Sequence, residues 1–280
     1  MGSELYWDVE RNKLGIRGAK LLLKGLDDGY SHTTRTFEPR SARAGQRYSY
    51  TMNKNTPPGK DMTAPDDFDQ NKYWIDRHRR LEGDPRSVGN LAKSLEQNKS
   101  AENRIQHWVG CAARDLKPYH SVLDVGCGYG RYASAFCNEG YDYTGIDVSQ
   151  VAIDAARKNE PRGTYLKGSA LDMDFGRKFD LICVLYVFVH FVDDEEWEKL
   201  ISKLATLLTP GGGLLFADVF PEKRVTPVPH VNQRPLSEYK RAFENCHLEL
   251  DSSFRQDIGT ALGTDTNLPP VYLARRAGIV

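Results

Sequence analysis

The chain has 280 residues, 40 % of them hydrophobic and 27 % charged, with 38 Lys+Arg balanced by 38 Asp+Glu. Such a composition describes an ordinary globular protein, long enough for one large domain with an extension. The charge balance excludes a broad basic field for gripping nucleic acid or a membrane surface, which weakens a nucleic-acid partner without closing that option.

The N-terminus MGSELYWDVE lacks the basic and apolar stretches of a signal peptide. The longest apolar run, at 181–192, falls short of the roughly 20 residues that a spanning helix needs. Five cysteines, at 111, 127, 137, 183 and 246, form no C-x-x-C pair and are odd in number, which fits a reduced, cytoplasmic setting.

In chain order, residues 1–69 read as an N-terminal extension, partly irregular. Its stretch 31–60 holds six Lys/Arg against one acid, Glu38. Sparse apolar residues suit a solvated arm, with QRYSYTM as one short strand; a basic arm that grips an anionic partner is the functional alternative. Residues 70–120 read as helical lid elements. There Ile105, Trp108, Val109, Ala112 and Ala113 form the stripe of an amphipathic helix.

Residues 121–280 alternate strand and helix. Strands are expected at 121–125, 142–146, 164–167, 179–185, 214–219, 248–254 and 271–274, and helices at 129–139, 150–158, 194–208 and 236–246. The helix at 194–208 carries Trp197, Leu200, Ile201, Leu204 and Leu208 on one face, with acids in its first turn. Pro210-Gly211-Gly212-Gly213 should then stop it and turn the chain. This alternation implies an α/β fold, a mostly parallel sheet covered on both faces.

The first of these strands runs into VLDVGCGYGR. A glycine-rich turn after the first strand of such a sheet is either a plain tight turn or a place where a ligand approaches the backbone. A dinucleotide fingerprint puts its third glycine five residues after the first. Counted from Gly126, that position is Arg131, and the glycine falls one place early, at Gly130. A nicotinamide cofactor is therefore disfavoured.

LDVGCGYGR resembles motif I of the class I S-adenosylmethionine-dependent methyltransferases of small-molecule type. Further stretches resemble the family in order: YTGIDVS, with Asp147 17 residues after Gly130; GSALDMDF; FDLICVLYVFVHF; LLTPGGGLLFADV; RPLSEYKRAFENCHLEL; and VYLARRA. The resemblance covers about 121–277 and implies a Rossmann-like, doubly wound, seven-stranded sheet whose last strand runs antiparallel. It also implies S-adenosylmethionine as cofactor, with S-adenosylhomocysteine as product.

On that resemblance the cofactor site comprises Asp124, Gly126, Cys127, Gly128, Gly130, Asp147, Val148, Ser169, Ala170 and Leu185. Asp147 would hold both ribose hydroxyls. Serine at 169 departs from the aspartate common in relatives and leaves the adenine contact open. Arg104, on the helix before motif I, stands where relatives hold the methionine carboxylate, and reads equally as an exposed helix arginine. Asp124 would orient the loop or the cofactor's amino group.

A hydroxyl acceptor needs a proton acceptor, for which His190 is the candidate, with Tyr186 shaping the pocket; anchoring of the apolar loop is the alternative for His190. Acceptor specificity is expected from 221–234, with Arg224, His230, Asn232 and Arg234, and from NKYWIDRHRR, with Tyr73, Trp74 and Arg77 as a lid. A carboxylate- or phosphate-bearing acceptor would favour the arginines.

The reaction so implied is in-line methyl transfer to an oxygen or nitrogen of a small molecule. No zinc-ligand spacing occurs and no essential metal is expected, though a cation near Asp218 stays conceivable. Two other readings stand beside it. A nucleic-acid or protein methyltransferase would dock through 31–60, although LYVF replaces the N-P-P-Y or D-P-P-Y of amino-nucleic-acid enzymes. A non-catalytic interaction protein of the same fold is the other.

Overall fold

The computed structural model describes residues 4–8, 13–17, 68–254 and 270–276; the basic stretch 31–60, with QRYSYTM, lies outside them. The described residues belong to two units, Met1–Asn53 and Lys54–Val280. In the first, β1 (Glu4–Asp8) and β2 (Lys13–Arg17) form an antiparallel ribbon with Tyr6 opposite Gly15. That ribbon was not among the expected strands.

The second unit opens with α1 (Gln70–Arg80), whose first turn is capped by the Asp69 carboxylate accepting from Lys72 N at 2.9 Å. A short 3-10 turn follows at Pro85–Ser87. Next comes α2 (Leu95–Asp115), started by a reciprocal capping box between Ser94 and Gln97. Its expected stripe, Ile105, Trp108, Val109, Ala112 and Ala113, is buried throughout.

The sheet then unfolds in sequence: β3 (Ser121–Val125), α3 (Ala133–Asn138), β4 (Asp142–Asp147), α4 (Gln150–Asn159), β5 (Thr164–Lys167), β6 (Phe179–Leu185), α5 (Asp194–Leu207) and β7 (Leu208–Ala217). After β7 come β8 (Val225–Val228), β9 (Val231–Gln233), α6 (Leu236–Glu244), β10 (Leu248–Leu250) and β11 (Val271–Arg276). Strand order is β10-β11-β7-β6-β3-β4-β5. β3, β4, β5, β6 and β7 pair in parallel, and β11 runs antiparallel to both its neighbours.

The chain thus leaves β3 toward β4 and β5, then returns to the other side of β3 as β6. That reversal opens a crevice at the carboxyl ends of β3 and β6, where open α/β sheets bind ligands. Helices α2, α3 and α4 bury one face of the sheet and α5 and α6 the other. The second face is rich in rings: Phe216 stacks on Tyr239 at 5.7 Å and meets Phe243 edge-on at 4.9 Å.

Three local expectations differ. Pro210-Gly211-Gly212-Gly213 does not turn the chain out of a helix but lies inside β7, which begins at Leu208. Its pairing with β6 slips between Phe179 and Leu181, and Gly211, at φ +75°, accommodates the irregularity. β10 ends at Leu250 because the Asp251 carboxylate accepts from Ser253 N at 2.9 Å, a local bond that competes with the ladder. The segment 221–234, for which no strand was expected, holds the antiparallel hairpin β8–β9.

Candidate functional site

The glycine run needs a bare backbone for steric reasons. At Gly126, φ is +69°, and a Cβ would fall 2.7 Å from Val187 Cγ2. At Gly130, φ is +77°, and a Cβ would press on Ala156 of α4, 3.1 Å from its Cβ. L side chains are disfavoured at such φ values whatever the space. The loop therefore hugs the sheet, with Gly126 N and Cys127 N both donating to Ile146 O at 2.9 and 3.1 Å.

Two acids flank it. Asp124, at the end of β3, is only 2 % exposed and accepts from the Tyr143 hydroxyl at 2.7 Å. Burial raises its carboxyl to about 7. Asp147, at the end of β4, accepts from Gly128 N at 3.1 Å and from Ser149 N at 2.9 Å. Each of its oxygens keeps a second acceptor position.

Beside Asp147 lies a cavity of about 90 Å³, walled by Gly126, Val148, Ser169, Ala170 and Leu185 and roofed by Trp74 and His78 of α1. Val148, Ser169, Ala170, Leu185, Gly126 and Asp147 are thus brought together from four separated stretches. Cys127 is buried beneath the loop, its sulfur where a side chain on Gly145 would go. Arg104 does not reach the wall: its Nη1 donates to Ser100 Oγ at 2.9 Å, one turn back on α2.

His78 was not singled out by sequence reasoning. It is 4 % exposed, its Nδ1 stands 3.7 Å from Asp147 Oδ1, and neither ring nitrogen has a hydrogen bond. Burial lowers its pKa, so the ring is neutral near pH 7. The signal was the spacing: His78 follows Trp74 by one helical turn, on the face that meets the sheet. The Tyr186 hydroxyl is likewise buried and unpartnered, on a residue held at φ +59° where β6 ends. Orphaned buried polar atoms cost about 1–3 kcal/mol each. Collected around a glycine cradle and a strand-end carboxylate, they fit a polar ligand with hydroxyls for Asp147, as a nucleoside has.

The second group of expected residues also converges. Tyr73 stacks on His230 with ring centroids 4.3 Å apart, and their Oη and Nε2 share a 3.1 Å hydrogen bond. Trp74 meets His190 edge-on at 4.6 Å. His190 Nδ1 lies 2.9 Å from the His230 carbonyl oxygen, so that nitrogen carries the proton and Nε2 is the ring's acceptor. Burial lowers His190 to about 3 and His230 to about 4.

These depressed values set a pH dependence. The unfolded chain takes up protons near 6.5, whereas the folded imidazoles resist until about 3 and 4. Their contribution to stability is therefore complete above pH 6.5 and is lost as the pH falls toward 4. For His190 the slope near pH 5 approaches about 1.4 kcal/mol per pH unit. Asp124, with its raised carboxyl, acts in the opposite sense, so the difference between wild type and His190→Gln isolates the histidine. Urea unfolding from pH 7 to 4.5 is expected to give a shallower acid loss in the variant; parallel profiles would show that His190 titrates normally.

The arginines correct an expectation. Arg77 is buried, and its Nη2 donates to the carbonyls of Arg86 (2.8 Å) and Gly89. Arg224 is paired with Asp194 at 2.7 Å and with Glu238. Arg234 is fully buried beneath Trp197 and bonded to Asp194 at 2.7 Å. All three hold the lid and hairpin in place, so the anionic acceptor they were expected to favour loses its basis. Asn232 donates to Val192 O at 3.1 Å in the same hairpin.

Asp218 accepts from the Tyr239 hydroxyl at 3.0 Å, and burial raises its carboxyl well above the usual range, which makes it a poor cation ligand. Among the described residues no group of three or more His, Cys, Asp or Glu stands ready for a metal. None of the described helices is long and apolar enough to cross a membrane.

Comparison with known proteins bears on this cleft. Residues 122–212 match a family described as "Methyltransferase domain". An uncharacterized methyltransferase of Synechocystis is 32 % identical over 123 residues, 44 % of this chain and 57 % of the relative. The ubiquinone biosynthesis O-methyltransferase of Coxiella burnetii is 32 % identical over 109 residues, 37 % of this chain and 45 % of the relative. The chain spans about half the length of these curated relatives. The crystal structure of magnesium protoporphyrin IX methyltransferase from Synechocystis, with bound S-adenosylmethionine, superposes with a TM-score of 0.54 at 18 % identity. It covers 76 % of this chain and 100 % of that one, a likeness of fold.

Proposed function

We propose that this chain, whose residues 122–212 match a methyltransferase domain, binds S-adenosylmethionine beneath α1 and methylates an oxygen or nitrogen of a small molecule. The observation that carries this reading is Asp147, a buried carboxylate ending β4 beside the glycine loop and opening on the cavity. When bound, the cofactor supplies a methyl group already activated on a sulfonium. The protein's part is then chiefly alignment of two reactants, worth up to about 7–11 kcal/mol in favourable cases.

Asp147 accepts from the two ribose hydroxyls with the lone pairs that Gly128 N and Ser149 N leave free. His78, on the roof at this spot, either bonds the ribose or gives way with α1. Gly126 and Gly128 let the ligand lie against the backbone, with Val148, Ser169 and Ala170 enclosing the adenine and Leu185 packing on the remainder. Tyr186, on its strained turn, shapes the approach to the reacting end.

The acceptor enters among Tyr73, Trp74 and His230. His190 Nε2 accepts the hydrogen of the attacking group, orienting it in line. With a pKa near 3, His190 positions that hydrogen rather than storing the proton, which passes to solvent as the charge on the acceptor develops. Arg77, Arg224 and Arg234 support the walls.

Calorimetric titration of the purified chain with S-adenosylhomocysteine, S-adenosylmethionine and NADH tests the reading. Saturable binding of both sulfur compounds, with none of NADH, is expected. Folded, ligand-free protein that binds neither would overturn it.

A further inference from the structure

A second cavity, of about 390 Å³, is walled by α1, α2, α4 and the turn at Pro85–Ser87, and serves no step of the proposed reaction. Its volume falls in the range of small-molecule sites. His78 lines it and also lines the smaller cavity beside Asp147, so this ring is a partition between the two. Apart from His78, no residue given above to the cofactor or the acceptor lies on its wall.

The wall is of two kinds. Pro85 and, on α4, Val151, Ala152 and Ala155 supply an apolar strip. Glu82, Asp84 and Glu102 supply carboxylates, against the ammonium of Lys99. Asp84 is held by Arg86 at 2.6 Å. Glu102 accepts the Tyr129 hydroxyl on Oε2, which leaves Oε1 open. Among the described residues Glu82 has no hydrogen bond and no ion pair.

The feature that points to a ligand is His78 itself, 4 % exposed and without a hydrogen bond on either ring nitrogen. Its Nδ1 stands 3.7 Å from an Asp147 oxygen, which favours the proton on that nitrogen. Nε2, on the opposite edge of the ring, is then an acceptor with nothing to accept. A buried acceptor left so is costly, and a donor entering from this cavity removes the cost.

Open acceptors at 78, 82 and 102 beside an apolar strip complement an ammonium group on a short hydrocarbon chain. An anion would meet the carboxylates. A metal ion does not fit either, because among the described residues no three of His, Cys, Asp or Glu converge on one point.

We infer that this cavity is a separate binding site for an aliphatic amine. Glu102, Glu82 and His78 Nε2 accept from its N–H groups, and its methylenes lie along Val151 and Ala155. The site goes beyond methyl transfer and does not depend on what the neighbouring cleft holds.

The test is calorimetry with butane-1,4-diamine. Saturable one-to-one binding is expected, with none of butane-1,4-diol, which matches it in length without the charge, and none of succinate. Glu102→Gln still accepts from Tyr129 but drops the charge, and should weaken the diamine by about 10-fold or more, the range of a charged hydrogen bond. Ala155→Phe fills the cavity from α4 and should abolish binding. Both variants should melt as wild type does and keep its affinity for S-adenosylhomocysteine.

No saturable binding of the diamine by folded wild type would overturn the site. Binding that both variants leave unchanged would do the same, since the cation would then sit elsewhere. The diol bound as tightly as the diamine would overturn the assignment of an ammonium ligand. Failure of wild type to bind S-adenosylhomocysteine would instead remove the proposed function and leave this site standing.

Discussion

Asp147→Ala is expected to weaken S-adenosylhomocysteine binding by at least about 100-fold, out of the measurable range of an ordinary titration. Two charged hydrogen bonds to ribose would vanish together, each worth roughly 1.5–3 kcal/mol. The same carboxylate also fixes the loop, through Gly128 N, and the start of α4, through Ser149 N. The ligand thus loses both its partner and the preset shape of its cradle.

The fold should survive, because the Asp147 carboxylate is itself costly to bury and Ser149 still caps α4 by accepting from Ala152 N at 3.4 Å. Thermal unfolding should therefore shift by only a few degrees while binding collapses. Asp147→Asn, which keeps an oxygen for one backbone N–H, should fall between the two. Undiminished affinity in the alanine variant, in protein that melts as wild type does, would remove Asp147 from the site and the proposed function with it.

The second large effect concerns the core. Phe216→Ala should destabilise the fold by about 3–5 kcal/mol, the range for deleting a buried aromatic side chain. Phe216 is fully buried in β7 and touches rings from four other elements or turns. Besides Tyr239 and Phe243 of α6, they are Phe188 at 6.4 Å, Phe220 at 6.0 Å and Tyr272 of β11 at 5.7 Å. The space left cannot close, since α6, β11 and the turn after β6 are all pinned by other contacts.

Against a typical domain stability of about 5–15 kcal/mol, such a loss is a large fraction. Phe188 begins the short turn that carries His190, so the acceptor side of the cleft should loosen as well. Urea unfolding measures the first effect. Phe220→Ala, at a partly exposed ring, should cost distinctly less; equal costs, or under about 1 kcal/mol for Phe216, would mean that this ring cluster is not the centre of the second face.

The sequence alone determined the parts of this protein that depend on neighbours in the chain. The stripe from Ile105 to Ala113, the strands at β3, β5 and β6, and the acids opening α5 each follow from a period or a cap a few residues long. The glycine run with Asp147 located the cleft, because backbone freedom and a strand-end acid are local properties. Local rules failed where a longer-range pairing overrode them. Pro210–Gly213 has the chemistry of a turn, yet the partner strand β6 draws it into β7.

Only the tertiary structure decided what each polar side chain faces. Arg224 and Arg234 looked like substrate ligands in sequence, but Asp194, 30 and 40 residues away, claims both. Arg104 lies on the helix before the glycine run and Arg131 at its end, and no spacing rule separates the one bonded along its own helix from the one that lines the cavity. His78 reaches Asp147 because α1 packs across the end of β4, a contact between residues 69 apart in the chain. Backbone preferences are encoded within a turn or two of chain, whereas the partner of a charge is whichever group the completed packing brings within hydrogen-bonding distance.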